Sequence, residues 1–343
     1  WEAMSVLSYF LVVYESDQEE NLRAGTLYLI MTSIGTSFLL AAFLLMFSYT
    51  GSFSLSGSSA DIPDQVRNVM FVMFLLGFGI KAGIVPLHIW LPAAHPAAPS
   101  NVSALMSGVM IKTAIYGLLR FVLVYLGADQ VWWGVALVVV GLVSVLFGVA
   151  YAYVENNIKR LLAYSSIENI GIILVGLGVG MIALAGGQAA AGAIAIAAAL
   201  FHTFNHTFFK GSLFLGAGSI HYSTKTKNIE DMSGLIKRMT LTAQIFLGDG
   251  AGLQAQGQGG YLSISALMPF RGFASEWLTL QGIFQGFVPG QAGINITLML
   301  AVAILALASA LAAACFLKFF SISFLGKARS VKAAQASEVP LPM

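Results

Sequence analysis

Apolar runs long enough to cross a lipid bilayer follow one another along almost the whole chain. A spanning helix needs about 20 mostly apolar residues. Runs of that size stand at 24–50, 66–91, 101–127, 131–154, 162–184, 190–220, 262–287 and 294–325. With the shorter opening run "WEAMSVLSYFLVVYE", they predict an all-α polytopic membrane bundle of about nine helices. Composition agrees, since only 9% of the residues are charged, whereas soluble domains carry about 25%. The opening run has no initiator Met and reads as the second half of a helix, so the sequence is expected to be a fragment.

Lysine and arginine set the orientation. One side collects Arg23, Lys159, Arg160, Lys225, Lys227, Lys237, Arg238, Lys327, Arg329 and Lys332, and the other has Arg67 alone. The lysine-rich loops are therefore expected in the cytoplasm, with the chain in a prokaryotic plasma membrane. A net charge of +2 gives no sign of nucleic-acid binding. The single cysteine, Cys315, cannot hold an iron–sulfur cluster, which needs about four ligands. There is no GxGxxG after a strand and no phosphate-binding loop. No cofactor is expected in this chain, and any redox chemistry belongs to a partner.

The remaining basic residues, Lys81, Lys112, Arg120, Lys210, Arg271 and Lys318, lie in or beside apolar runs, with Glu2, Glu168 and Glu276 as acidic counterparts. Each charge at mid-bilayer costs at least about 2.5–3.5 kcal/mol, so a cluster of them predicts a polar interior that carries ions or protons. In "FHTFNHTFFKGSLFLGAGS", His202, His206 and Lys210 recur every fourth residue and share one helix face. Blander readings apply elsewhere. Lys318 is a snorkelling side chain or a terminal relay, and Glu168, near a helix end, is structural or a relay. Arg120 is an interfacial anchor, and His88, His95 and His221 serve loop backbone. Phe71, Phe74 and Phe78 are packing residues, and Gly141, Gly148, Gly176 and Gly180 are helix contacts.

Two helices carry breaks. "GFGIKAGIVPLHIWLP" sets glycines and Pro86 around Lys81, and "LMPFRGFASEWLTLQ" sets Pro269 and Gly272 before Glu276. Irregular backbone at membrane depth is tolerated where it is buried or lines a cavity. The breaks fall in the third and eighth helices. That five-helix offset reverses orientation and points to inverted repeats.

The stretch "GIKAGIVPLHIWLPAAHPAAPSNVSALMSGVMIKTAIYGLLRF", with "NNIKRLLAYSSIENIG" and "HTFNHTFFKGSLFLGAGS", resembles the proton-translocating antiporter-like family. That family includes antiporter-like subunits of respiratory complex I, membrane subunits of group 4 [NiFe] hydrogenases and Mrp-type antiporters. "WEAMS" and "GFASEWLT" are most similar to the hydrogenase-4 component B and formate hydrogenlyase subunit 3 branch. The resemblance implies about fourteen helices in the whole protein, with two inverted five-helix repeats. Here residues 1–130 would be the first repeat, truncated at its start, 131–326 the second, and 327–343 a cytoplasmic tail or linker. It also implies a proton path through Glu2, Lys81, Lys112, His202, His206, Lys210 and Glu276. Partners would be other antiporter-like and small membrane subunits, and peripheral subunits that hold iron–sulfur clusters and [NiFe]. One stretch departs from the pattern: "TLTAQIFLGDGAGLQAQGQGGYL", with Asp249, is too polar and glycine-rich to span lipid and reads as an altered segment or a loop insertion.

A proton path needs groups whose charged and neutral forms lie close in energy. A glutamate–lysine pair provides this, because unit charges 4 Å apart at an effective dielectric of 20 interact by about 4 kcal/mol, roughly three pKa units. With Glu2 close, Lys81 holds its proton, and with the pair apart it releases it. The leading expectation is thus a proton-translocating membrane subunit of a redox-driven complex. An Mrp-type Na⁺/H⁺ antiporter subunit and a non-transporting membrane scaffold stay open as alternatives.

Overall fold

The computed structural model describes residues 1–53, 62–247, 260–288 and 290–340. Among these the chain is an all-helical bundle without sheets, and seven helices are long and apolar enough to cross a membrane. The protein is an integral membrane protein. In chain order the helices are α1 (Glu2–Val12), α2 (Glu19–Thr50), α3 (Asp64–Ala82), α4 (Leu91–Ala97), α5 (Ser100–Leu126), α6 (Val131–Val154), α7 (Ile158–Ala185) and α8 (Ala189–Thr224). The short α9 (Thr240–Leu247) and α10 (Gly260–Ile264) follow, then α11 (Arg271–Gln285), α12 (Ala292–Phe324) and α13 (Val331–Ala334).

Both expected breaks are present. The third membrane helix stops at Gly83, whose left-handed φ of +78° suits a residue without Cβ, and resumes as α4 after an irregular turn. In the eighth, α10 gives way at Ala266 before α11 begins at Arg271. Residues 248–259, which include Asp249 and most of the polar stretch, lie outside the described residues. The α5 helix contains two wider, π-helical stretches, Met106–Met110 and Leu118–Leu126. Lys112 lies just after the first. Such stretches alter the regular helical register and recur at functional sites.

The centre of the bundle is α7, whose most apolar 18-residue window is 94% buried. Asn157 caps its start by accepting from the amides of Lys159 and Arg160. Glycines let α6 lie directly on it. A Cβ on Gly134 would fall 2.7 Å from the Gly178 carbonyl, one on Gly141 2.8 Å from the Gly171 carbonyl, and one on Gly148 2.5 Å from the Glu168 amide nitrogen. The two helices form a backbone-to-backbone seam at seven-residue spacing. Gly176 and Gly180 make room for the Ala199 and Ile196 side chains of α8. Phe71 stacks on Trp133, and Phe74 and Phe78 stack on Phe121.

The lysine-rich loops meet at one end. The Ile158 amide donates to the Lys227 carbonyl, the Ile229 amide to Asn156, and the Ser233 amide to Ser323. Lys159 donates to the Ala98 carbonyl and Lys227 to the Pro96 carbonyl, both at 2.8 Å, so two ammonium groups hold the end of α4. Residues past 326 fold back, and the Glu338 carboxylate accepts from the Leu241 amide and the Thr242 hydroxyl at the start of α9.

Arg67 closes the other end. It bridges Asp64 at 3.0 Å and Asp129 at 2.6 Å, donates to the Leu126 carbonyl, and lies over Trp133. These hydrogen bonds hold the Asp129 carboxyl below its ordinary range. Arg67→Met should lower the thermal midpoint of the purified protein in detergent, with a loss of about 2 kcal/mol. Because the folded Asp129 value is depressed, its contribution is present above the unfolded pKa and lost as pH falls through the folded one. The gap between variant and parent should therefore narrow in acid.

Candidate functional site

Polar side chains from α5, α7, α8 and α11 converge in the bundle interior. On α8, His202, His206 and Lys210 are each at most 1% exposed. Lys112 Nζ on α5 contacts His206 Nδ1 and donates to the Ser107 carbonyl. With Nδ1 accepting, the imidazole proton sits on Nε2, which has no protein partner among the described residues. Two cations in direct contact repel each other. Lys112 and His206 are close enough for one to hand a proton to the other.

A polar stripe on α7 joins this pair to the rest. Ser166 exchanges a 2.8 Å hydrogen bond with Ser107. Lys210 donates to the Leu162 carbonyl at 2.9 Å and to Ser165 Oγ. The Asn169 amide donates to the Ser165 carbonyl at 2.7 Å, which turns its carbonyl oxygen towards His202 Nε2 at 3.1 Å. On the other side, His202 Nδ1 lies 2.9 Å from Ser275 Oγ on α11.

That last contact accommodates two charge states. A neutral His202 accepts from the Ser275 hydroxyl at Nδ1. A protonated His202 donates there, and the hydroxyl turns to the Gly272 carbonyl, 3.0 Å away. Either way the polar groups are satisfied, so a proton arrives or leaves without orphaning a donor. Next to Ser275, the partly buried Glu276 accepts from Ser309 Oγ at 2.7 Å and borders a small cavity of about 30 Å³ that also touches Ile172 on α7.

Lys81 forms a second station. It sits in the last turn of α3, 1% exposed, where the helix end favours a cation. Its ammonium donates to Ser5 Oγ at 2.5 Å and lies over the Trp1 and Tyr28 rings. Its hydrogen-bond partner is thus Ser5, and the Glu2–Lys81 pair stands apart. Glu2 is exposed and forms no ion pair with Lys81 among the described residues. Ser5 lies three residues on, about 60° around α1, and is the residue that faces inward.

Glu168 is 2% exposed, pressed against Gly148, and its Oε2 has no hydrogen-bond partner among the described residues. It lies one turn from both Ser165, which holds Lys210, and Ile172, which touches the Glu276 cavity. Lys318 instead reaches the end of α6, donating to the Tyr153 carbonyl and Asn156 Oδ1, as a helix cap does. His95 does not serve loop backbone through its ring. Neither ring nitrogen has a partner among the described residues, and the ring stacks on Phe214 at 4.7 Å.

Sequence reasoning missed Ser165, Ser166, Asn169 and Ser275. Ser165, Ser166 and Asn169 share one face of α7, but that helix is buried on nearly every side and offers little contrast of faces. Among the described residues no group of three or more His, Cys, Asp or Glu side chains is placed to hold a metal ion.

Residues 1–300 match the family described as "NADH:quinone oxidoreductase/Mrp antiporter, TM". The chain is 40% identical to hydrogenase-4 component B of Escherichia coli (strain K12), over 100% of its own length and 50% of the relative's. It is 35% identical to formate hydrogenlyase subunit 3 of the same organism, over 100% of its length and 53% of the relative's. It thus spans about half the length of these relatives. Its fold superposes on a chain of the membrane-bound sulfane sulfur reductase, an archaeal respiratory membrane complex, with a TM-score of 0.81 and 28% identity, covering 100% of this chain and 52% of that one.

Proposed function

Because the chain belongs to the NADH:quinone oxidoreductase/Mrp antiporter membrane family, we propose that it moves protons along its buried polar row as a membrane subunit of a redox-driven complex. The observation that carries this reading is the Lys112–His206 contact, continued by hydrogen bonds from Lys210 through Ser165 and Asn169 to His202 and Ser275. A proton arriving at Lys112 raises the repulsion on His206, and the cheapest relief is to pass one proton onward along α8. Glu276 is the terminal acceptor. Lys81 is the loading site, gated by whether a carboxylate such as Glu2 approaches it.

The similarity to hydrogenase-4 component B and formate hydrogenlyase subunit 3 favours a group 4 hydrogenase type of complex. Its iron–sulfur clusters and [NiFe] would lie in peripheral partners, beside further antiporter-like and small membrane subunits. The lysine-rich end would face the cytoplasm of a prokaryotic plasma membrane. The inverted repeats would be residues 1–130 and 131–326, each holding one break.

The test is proton flux per electron in vesicles that carry the complete complex. Lys81→Ala is expected to remove proton translocation, and an unchanged ratio would sink the proposal. The family description also names Mrp antiporters. Exchange of ²²Na⁺ by the full protein without any redox donor would move that reading to first place.

A further inference from the structure

The lysine-rich end opens into a cavity of about 610 Å³. Its wall is formed by the turn between α4 and α5, the start of α7 and the last turns of α8. Lys159, Lys225 and Lys227 line it, against Glu15 as the carboxylate in the lining. Among the described residues none of the three ammonium groups lies within 4.0 Å of a carboxylate. Lys159 is 2% exposed, and the Ala98 and Pro96 carbonyls orient Lys159 and Lys227 without neutralising them. Lys225 lies 4.4 Å over the Tyr222 ring. Three lysines against one carboxylate leave the lining net positive, and Lys159 is buried, so the cavity suits an anion.

A second observation says which kind. Tyr222 and Leu215 in the cavity lining and Phe208 and Phe204 beyond it fall within about 40° of one another around α8, and they are 42–52% exposed. A Cβ on Gly211, on the same face, would meet nothing within 4 Å, so the stripe is indented at mid-length. Antiparallel α5 forms the facing wall. Gly218 approaches Ser100 and Gly108 approaches Thr207, with Leu105 and Val109 exposed on its outer side. Further along the same two helices a separate open recess of about 320 Å³ lies at Lys112, between Val109, Tyr116 and Thr207. From Ser100 to Lys112 is about 18 Å at 1.5 Å per residue. One leaflet of a bilayer core is about 15 Å thick.

We propose that the cavity and the groove together hold one anionic phospholipid. Its phosphodiester sits among Lys159, Lys225 and Lys227. One acyl chain runs along α8 and covers the open side of Lys112. The lipid would keep water and stray protons from the Lys112–His206 pair. The site itself does not depend on the pump reading.

The complete complex, in phosphatidylcholine vesicles doped with a phosphatidylglycerol carrying a photoreactive acyl chain, tests this. Labelling is expected on the α8 peptide that includes Phe208 and Leu215, displaced by unlabelled phosphatidylglycerol but not by phosphatidylcholine. Lys225→Gln, at an exposed rim position, should weaken it about fivefold. Lys159→Met should weaken it further. Equal labelling by the two lipid types would overturn the proposal, because the groove would then hold ordinary boundary lipid. Protection by inorganic phosphate with no acyl labelling would make the site one for free phosphate. Cross-linking of Phe208 to a neighbouring subunit, with no lipid label, would show that protein covers the groove.

Discussion

Lys112→Ala is expected to reduce proton translocation by the complete complex to the level of passive leak. The expected loss is on the order of 10²-fold or more, the scale at which positioned proton donors act. The methyl group leaves His206 Nδ1 without its lysine partner and removes the group that delivers charge to α8. Lys112→Arg is the sharper variant. The guanidinium keeps the charge and can reach the Ser107 carbonyl, yet it does not give up its proton. Both variants should assemble, and both should fail to pump, read as proton flux per electron in vesicles. Normal pumping by Lys112→Arg would show that the residue supplies only charge, and the relay role would fall.

Gly148→Leu should be the most damaging change to the fold. A Cβ at that position would stand 2.5 Å from the Glu168 amide nitrogen and 2.9 Å from the Tyr164 carbonyl, and backbone cannot swing aside as a side chain does. The seam between α6 and α7 would have to open along its length. Overpacking costs 1–3 kcal/mol where side chains can yield, and here about 3 kcal/mol or more is expected. Gly211→Ala is the matched control, because a Cβ there meets nothing, and alanine favours a helix by about 1 kcal/mol over glycine. Thermal midpoints of the purified variants should separate, with Gly148→Leu low or unassembled and Gly211→Ala at or above the parent. Equal midpoints would mean that the seam is looser than its geometry indicates.

Much of this was legible in the sequence because the bilayer imposes simple rules. Apolar run length located the seven membrane-length helices among the nine expected runs, and Gly83, Pro86 and Pro269 marked the breaks. Four-residue spacing put His202, His206 and Lys210 on one face. What stayed hidden belongs to contacts between distant segments. Lys159 and Lys227 hold carbonyls 61 and 131 residues away, and no local pattern announces such a pairing. The α7 stripe, which does share one helix face, lacked contrast for another reason. A helix buried on every side has no apolar face to contrast with a polar one, so Ser165, Ser166 and Asn169 looked like scattered small residues. Ser5, a turn past Glu2, takes the inward position on α1, and nothing in its local sequence sets it apart.

The enclosure of α7 also constrains how the protein is made. As α7 enters the bilayer it carries Glu168 and Asn169 at membrane depth, and the preceding α6 shields one flank through the glycine seam. The earlier α4 and α5 cover a second flank, and the rest is covered by α8, α11 and α12, which leave the ribosome later. Until they arrive, a carboxyl group and a carboxamide face lipid, at a cost of a few kcal/mol. Biogenesis therefore passes through a half-built helical hairpin with an unshielded polar side. Retention of α7 near the insertion machinery until α8 is delivered, rather than release helix by helix, is the assembly order that this architecture favours.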